Sequence, residues 1–429
     1  MIETKTAAGR HFHFDGCDVV GLARKHGTPL YVVSETAIRA RIRELKADFL
    51  DKHPGAFAVY ASKAFQTLEM CRLVAEEGLG LDVVSGGELY AAAKAAFPME
   101  RVFLHGNGKT RAELEMAVEL GVGRIVVDNL DELETLDEIA EGKGKRVPIL
   151  FRITPGVDSH THEYVSTGKL DSKFGIPLDP SVRQAYVGRA LSMKGVELKG
   201  FHFHVGSQLH ENDSHLKAVR VVLDLMKEVK EAYGFSATDL NLGGGFGVRY
   251  TKADSPKGLA DFTDPMMAAV TEGCRERGLE MPRVVIEPGR WLVGEAGITL
   301  YTVSSVKEIP GIKTYVAVDG GMPDNPRPAL YGAKYEAVVA DRPDAQPTTV
   351  VTVAGKCCET GDILIRDIAL PAPARGDILA VFTTGAYCHS MASNYNRLPR
   401  PAVVMVREGT DRVSVRRETY EDLVARELP

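Results

Sequence analysis

The chain has 429 residues, 44% hydrophobic and 26% charged, with a formal net charge of −6 at pH 7. Such a length allows two or three domains and a large core. The acidic balance and the lack of a basic block argue against a nucleic-acid partner, and no uninterrupted apolar run of about 18 residues argues for a membrane span.

The opening residues Met1 to Lys5 lack the apolar core of a signal peptide. We therefore expect a cytoplasmic protein. The six cysteines (Cys17, Cys71, Cys274, Cys357, Cys358 and Cys388) are sparse and include an adjacent pair. That is not a disulfide scaffold. Histidines alternate at 11 and 13, 160 and 162, and 202 and 204, each pair half of a metal site. None stands near a cysteine pair or an H-E-x-x-H pattern, so no metal is expected.

In chain order, residues 1–33 hold short strand-like pieces, Phe12 to Phe14 and Leu30 to Val33. Ser34 suits the N-cap of a helix with Ile38, Ile42, Leu45 and Phe49 on one apolar face. Strand-length apolar runs then recur at 56–60, 80–84, 102–105, 125–128, 147–153, 198–204, 238–242 and 283–287. Most are separated by stretches of helical period, such as Phe65 to Val74, Arg111 to Leu120, Leu130 to Ala140 and Leu216 to Ala232. Strands alternating with helices imply parallel pairing, and eight of them over about 250 residues predict a closed (β/α)8 barrel. An open doubly wound sheet is the alternative, but no G-x-G-x-x-G follows an early strand.

Beyond about residue 300 the period changes to two. Ile298 to Val306, Lys313 to Val318, Tyr335 to Ala340, Thr348 to Val353, Ile378 to Phe382, Ala402 to Val406 and Val413 to Arg416 read as strands of an all-β barrel or sandwich. The expected division is an α/β barrel over 34–297 and a β domain from 1–33 and 298–429.

Chemistry in such barrels sits at the C-terminal ends of the strands. There this chain places Lys63, the Leu81 to Glu88 stretch, His204 to Ser207, Gly243 to Gly247, and Glu287 to Arg290. Lys63, among small apolar residues, reads either as a loop lysine or as a poorly hydrated amine able to form a Schiff base. The glycine run suits either a turn or backbone approach to a phosphate, with Ser207 and Arg290 on the same rim. Glu287 either pairs with Arg290 or holds a ring nitrogen protonated. His204 is either a core histidine or lies flat on a cofactor ring. Together they point to pyridoxal phosphate (PLP).

The chain also resembles the ornithine/diaminopimelate/arginine decarboxylase family of PLP enzymes with an alanine racemase-like barrel, and within it the diaminopimelate branch. Besides the rim motifs, the resemblance rests on Asp319 to Tyr331, Cys358-Glu359-Thr-Gly-Asp362, Gly385-Ala-Tyr387 and Ser393 to Asn396. Thr161 to Tyr164 and Ser166 to Gly168 add to it. The resemblance implies that Lys63 carries the cofactor and His204 stacks on it. It implies that Ser207, Gly244, Gly245, Gly289 and Arg290 hold the phosphate with Tyr387, and that Glu287 meets the ring nitrogen. Arg290, Arg327, Tyr331 and Tyr387 would bind substrate, Glu359 its distal amine, and Cys358 would donate a proton. Cys358 and Glu359 would come from the second subunit of a homodimer.

The implied reaction is decarboxylation of meso-2,6-diaminopimelate to L-lysine. Alternatives are a decarboxylase of the same fold acting on carboxynorspermidine or a basic amino acid, or a non-catalytic PLP-binding regulator. Two positions depart from the family pattern: Cys357 doubles the thiol, and His389 stands where an aromatic such as tyrosine is expected.

Overall fold

The computed structural model describes residues 11–157, 172–177 and 179–428. The Thr161 to Tyr164 and Ser166 to Gly168 motifs and the 160/162 histidine pair lie outside the described residues. The chain divides into two compact units. One comprises Ile42–Gly247 and Pro256–Trp291, the other Met1–Arg41, Val248–Ser255 and Leu292–Pro429.

The first unit contains a closed barrel of eight parallel strands. In order these are Phe57–Ala61, Gly80–Val83, Val102–Leu104, Arg124–Val127, Val147–Arg152, Val196–His202, Asp239–Asn241 and Arg283–Ile286. Each matches one of the eight expected runs. The runs are short and largely buried, as strands covered by helices must be. Val59, Phe103, Val126, Leu150 and Val285 form one buried cluster.

The helices after the first four strands each open on a side chain that accepts a backbone N–H. Thr67 Oγ1 accepts from Met70 N at 3.0 Å, Ser85 Oγ from Glu88 N at 3.2 Å, Thr110 Oγ1 from Glu113 N at 3.3 Å and Asn129 Oδ1 from Glu132 N at 2.9 Å. Each cap satisfies a donor that the helix geometry orphans, so the strand-to-helix junctions are fixed by local sequence.

The second unit is built on a nine-stranded sheet. Its main path runs Ile363–Leu370, Thr349–Ala354, Lys313–Val318, Gly297–Ile309, Leu30–Ser34, Ala402–Arg407 and Thr410–Val415. Ile378–Val381 branches from Gly297–Ile309 and pairs in turn with Ala337–Val339. The strand Leu30–Ser34 does pair into this sheet, between two strands from the other end of the chain. Ser34 Oγ accepts from Ala37 N at 3.0 Å, which makes it the cap expected for the helix Glu35–Leu45. Ile363–Leu370 was not among the expected strands. Its alternation is broken at Asp367, which adopts φ 52°. Among the described residues, no helix is long and apolar enough to cross a membrane.

Candidate active site

The first barrel strand runs into a tight turn, Ser62–Ala64. Ser62 and Ala64 are buried, and the Ser62 hydroxyl donates to the Asp82 carbonyl at 2.7 Å. Lys63 between them is exposed. This corrects the expectation of a poorly hydrated amine: the lysine meets solvent while lying close enough to Asp82, Glu88 and His204 for its charge to act on all three. Its influence is electrostatic. Burial pushes the carboxyls of Asp82 and Glu88 up, and the Lys63 charge works against that in both.

Glu287 follows the eighth strand and is buried. Its partner is not Arg290. Asn241 Nδ2 donates to Oε1 at 2.6 Å, His105 Nε2 lies 2.9 Å from Oε1, and His202 Nε2 lies 3.2 Å from Oε2. Burial alone would raise this carboxyl, but the two imidazoles outweigh it and hold the group well below the usual carboxylate range. Arg290, also buried, instead donates from Nη2 to Ser207 Oγ at 3.1 Å.

The glycine run after the seventh strand is required by crowding. A side chain on Gly244 would collide with the Glu287 carbonyl, and one on Gly245 with the Gly206 carbonyl. Gly243 and Gly245 adopt φ 70° and 101°, a region side chains disfavour. The N–H of Gly244 donates to His204 Nδ1 at 3.3 Å, and its carbonyl lies 2.9 Å from Nε2 of the buried His215. His204 is half-buried, and burial followed by the nearby Lys63 charge holds its imidazole well below the usual range. It is therefore neutral. Gly289 packs against the end of the first strand, where an added Cβ would stand 3.0 Å from that of Ala61.

The barrel thus brings together Lys63, His204, Ser207, Gly244, Gly245, Glu287, Gly289 and Arg290. These groups fit a flat, anionic cofactor. The cradle admits no side chain, an ionised carboxylate suits a protonated ring nitrogen, and a serine hydroxyl and a guanidinium suit a phosphate.

Sequence reasoning missed His105 and Asn241, and saw His202 only as half of a metal pair. The available signals were position and polarity. His105-Gly106-Asn107 follows the third strand at the rim, and Asn241 is a polar residue in a three-residue buried strand.

The β unit holds the other expected residues. Arg327 is buried in the helix Arg327–Tyr331, and its Nη1 donates to the hydroxyls of Tyr250 at 2.7 Å and Tyr335 at 2.9 Å. Tyr331 and Tyr387 are half-buried, and Tyr387 adopts φ 59°, unusual for a residue with a side chain. Cys358 and Glu359 are exposed on the turn between Thr349–Ala354 and Ile363–Leu370. That turn is organised by buried Asp362, which accepts from Cys357 N at 2.9 Å and Met322 N at 2.7 Å. Asn396 Oδ1 accepts from Cys358 N at 2.8 Å. The Cys357 thiol is pushed up to about 12 by burial and the adjacent Asp362, which leaves Cys358 as the accessible thiol of the pair. His389 rests edge-on to Tyr31, with ring centroids 5.6 Å apart.

A parallel barrel with this rim is the cofactor-binding half of a pyridoxal-dependent decarboxylase. Residues 36–294 match the family described as "Pyridoxal-dependent decarboxylase, pyridoxal binding domain", and the chain belongs to it. Its relatives narrow the class. The chain is 49% identical over 419 residues to the diaminopimelate decarboxylase of Bacillus subtilis, covering 98% of this chain and 95% of that protein. It is 43% identical over 422 residues to the diaminopimelate decarboxylase of Mycobacterium tuberculosis, covering 96% and 94%. Among solved structures, the M. jannaschii diaminopimelate decarboxylase in co-complex with L-lysine matches with a TM-score of 0.93 at 36% identity, over 100% of this chain and 98% of that one.

Proposed function

We propose that this chain decarboxylates meso-2,6-diaminopimelate to L-lysine and CO2, the last step of lysine biosynthesis by the diaminopimelate route. The observation that carries the reaction type is the buried, ionised Glu287 among its three polar neighbours. Bound PLP supplies the sink for the electron pair left at Cα when the carboxylate departs, and a protonated ring nitrogen makes that sink strong. A carboxylate kept ionised is the group that retains such a proton.

In this reading the barrel domain, 34–297, carries the cofactor. Lys63 holds it covalently through Nζ, with His204 against its ring. Ser207, Gly244, Gly245, Gly289 and Arg290 serve its phosphate, assisted by Tyr387. The β domain, 1–33 with 298–429, reads the substrate. Arg290, Arg327, Tyr331 and Tyr387 bind it, the Arg327 guanidinium matching a distal carboxylate. Glu359 takes the distal ammonium, so a tail bearing both charges is preferred over ornithine or lysine. Cys358 Sγ delivers the proton to Cα. We further propose a cytoplasmic homodimer in which the turn carrying Cys358 and Glu359 serves the other subunit's barrel.

The test is a substrate panel with added PLP: meso-diaminopimelate, ornithine, lysine, arginine and carboxynorspermidine. Lysine should be released from meso-diaminopimelate. Turnover confined to any of the other compounds would overturn the assignment.

A further inference from the structure

We infer that His105 and His202 are positioning residues: with Asn241 they fix the Glu287 carboxylate in its ionised form and so set the protonation of the cofactor ring nitrogen. The inference rests on the decarboxylase reading above. An ionised carboxylate offers about four acceptor positions. Asn241 occupies one at 2.6 Å and His202 Nε2 approaches another at 3.2 Å, while His105 Nε2 stands 2.9 Å from Oε1 without the alignment of a hydrogen bond. Acceptor capacity is left for one more donor.

Neither arm of this clamp is free to turn. The two imidazoles pack edge to face, with centroids 4.8 Å apart and planes at 77°. His105 Nε2 also lies 3.8 Å from Asp82 Oδ1, between two carboxylates. Its loop is pinned by Lys109, whose Nζ donates to the carbonyls of Gly106 and Val126 and to Glu132, each at 2.7 Å. On His202, Nδ1 has no partner among the described residues while Nε2 faces the carboxylate. Burial lowers its pKa to about 4, so at neutral pH the ring carries one hydrogen, directed at Glu287. His202 Nε2 is thus placed to donate a hydrogen bond to the carboxylate. The other charges felt at the cluster are Arg152, Asp82 and Lys63.

The side chains of His105, His202 and Glu287 converge closely enough to be weighed as a metal set, with donor atoms within 4.8 Å of one another. The His202 Nε2 that would coordinate an ion is already engaged with a Glu287 oxygen, and an Nε2 that donates its hydrogen there cannot ligate. The clamp is the reading that uses every contact. Without it, burial would favour the neutral acid, which cannot keep a proton on a ring nitrogen.

The experiment uses holoenzyme loaded with PLP labelled with nitrogen-15 in the ring, and reads the ring nitrogen shift by NMR beside kcat and KM. The variants are His105→Leu, His202→Leu, His105→Gln and His202→Gln. Glutamine can donate from a comparable position, so the Gln variants should keep the protonated-ring shift. The Leu variants should move toward unprotonated pyridine and lose kcat roughly tenfold or more, with KM little changed. An unchanged shift in both Leu variants, or Gln variants as impaired as the Leu ones, overturns the inference. Should the Leu variants fail to fold, His202→Gln against His202→Asn decides it: the shorter amide should lose the protonated shift, and equal shifts overturn the proposal. Failure of the decarboxylase reading would show separately, as wild-type protein that releases no lysine.

Discussion

The carboxylate of Asp362 fills the space that a side chain on Gly355 would need. It accepts the N–H groups of Cys357 and Met322 from that position, so one buried acid shapes the whole turn that presents Cys358 and Glu359. Replacing Asp362 with alanine leaves two partly buried donors unpaired, at a cost of about 1–3 kcal/mol each. The expected outcome is a lower Tm together with a loss of kcat. Gly355→Ala should reproduce both, because the acid must move to admit the methyl group. A variant with reduced Tm but unaltered turnover would separate the turn's stability from its catalytic use.

Lys63→Ala should abolish the Schiff-base absorbance of added PLP and lower turnover by at least about a thousandfold. Lys63 is exposed, so the substitution removes no buried side chain. The Tm of the variant without cofactor should match that of wild type, which circular dichroism can check.

The adjacent thiols should differ in reactivity. With Cys357 pushed up to about 12 and partly buried, it is protonated at pH 8, whereas Cys358 is exposed. Alkylation should label Cys358 first, and inactivation should follow that single modification. Cys357→Ser should alkylate and turn over like wild type, as peptide mass mapping and initial rates would report.

Arg327→Lys keeps a charge but loses the planar guanidinium that lies over the Tyr250 ring and donates from Nη1 to Tyr250 and Tyr335. We expect KM for meso-diaminopimelate to rise at least about tenfold with a smaller change in kcat. Equal loss against a substrate lacking the distal carboxylate would argue for a purely structural arginine.

Two buried groups give opposite pH dependences. Burial lowers His215 to about 4, so between its ordinary value and about 4 the unfolded chain binds a proton that the folded chain does not. Its contribution to stability is present above that window and is lost as pH falls through it. Burial raises Asp324 to about 7, so the folded chain holds the extra proton and stability is lost as pH rises from about 4 to about 7. His215→Gln should flatten the acid-side loss of stability, while Asp324→Asn should steepen it. Denaturant midpoints from pH 4 to 7.5 measure both slopes.

The eight barrel strands were legible because each is a short apolar run bounded by caps and turns. The rim followed, since a lysine, a glycine run and a glutamate at strand ends announce themselves one at a time. The Glu287 clamp did not. His105, His202 and Asn241 come from the third, sixth and seventh strands and their loops, and only barrel closure gathers them. Glu287 and Arg290 are near in sequence, which made their pairing the natural expectation, but Arg290 turns to Ser207 instead. The exposure of Lys63 was equally hidden, because it depends on which way a three-residue turn faces. Ile363–Leu370 escaped because a single left-handed residue resets its alternation.

The parallel pairing of Leu30–Ser34 with Ala402–Arg407 sets an order of events during synthesis. Every barrel strand has been synthesised by Ile286, and all barrel pairings but the closing one, Arg283–Ile286 with Phe57–Ala61, join strands that are neighbours along the chain. The strand Leu30–Ser34 emerges before all of them, yet its partner is made more than a hundred residues after the last. Its other neighbour, Gly297–Ile309, also arrives after the barrel is complete. The nascent chain therefore carries an unpaired apolar edge through most of translation, a segment suited to chaperone capture, and the β unit closes only as synthesis ends.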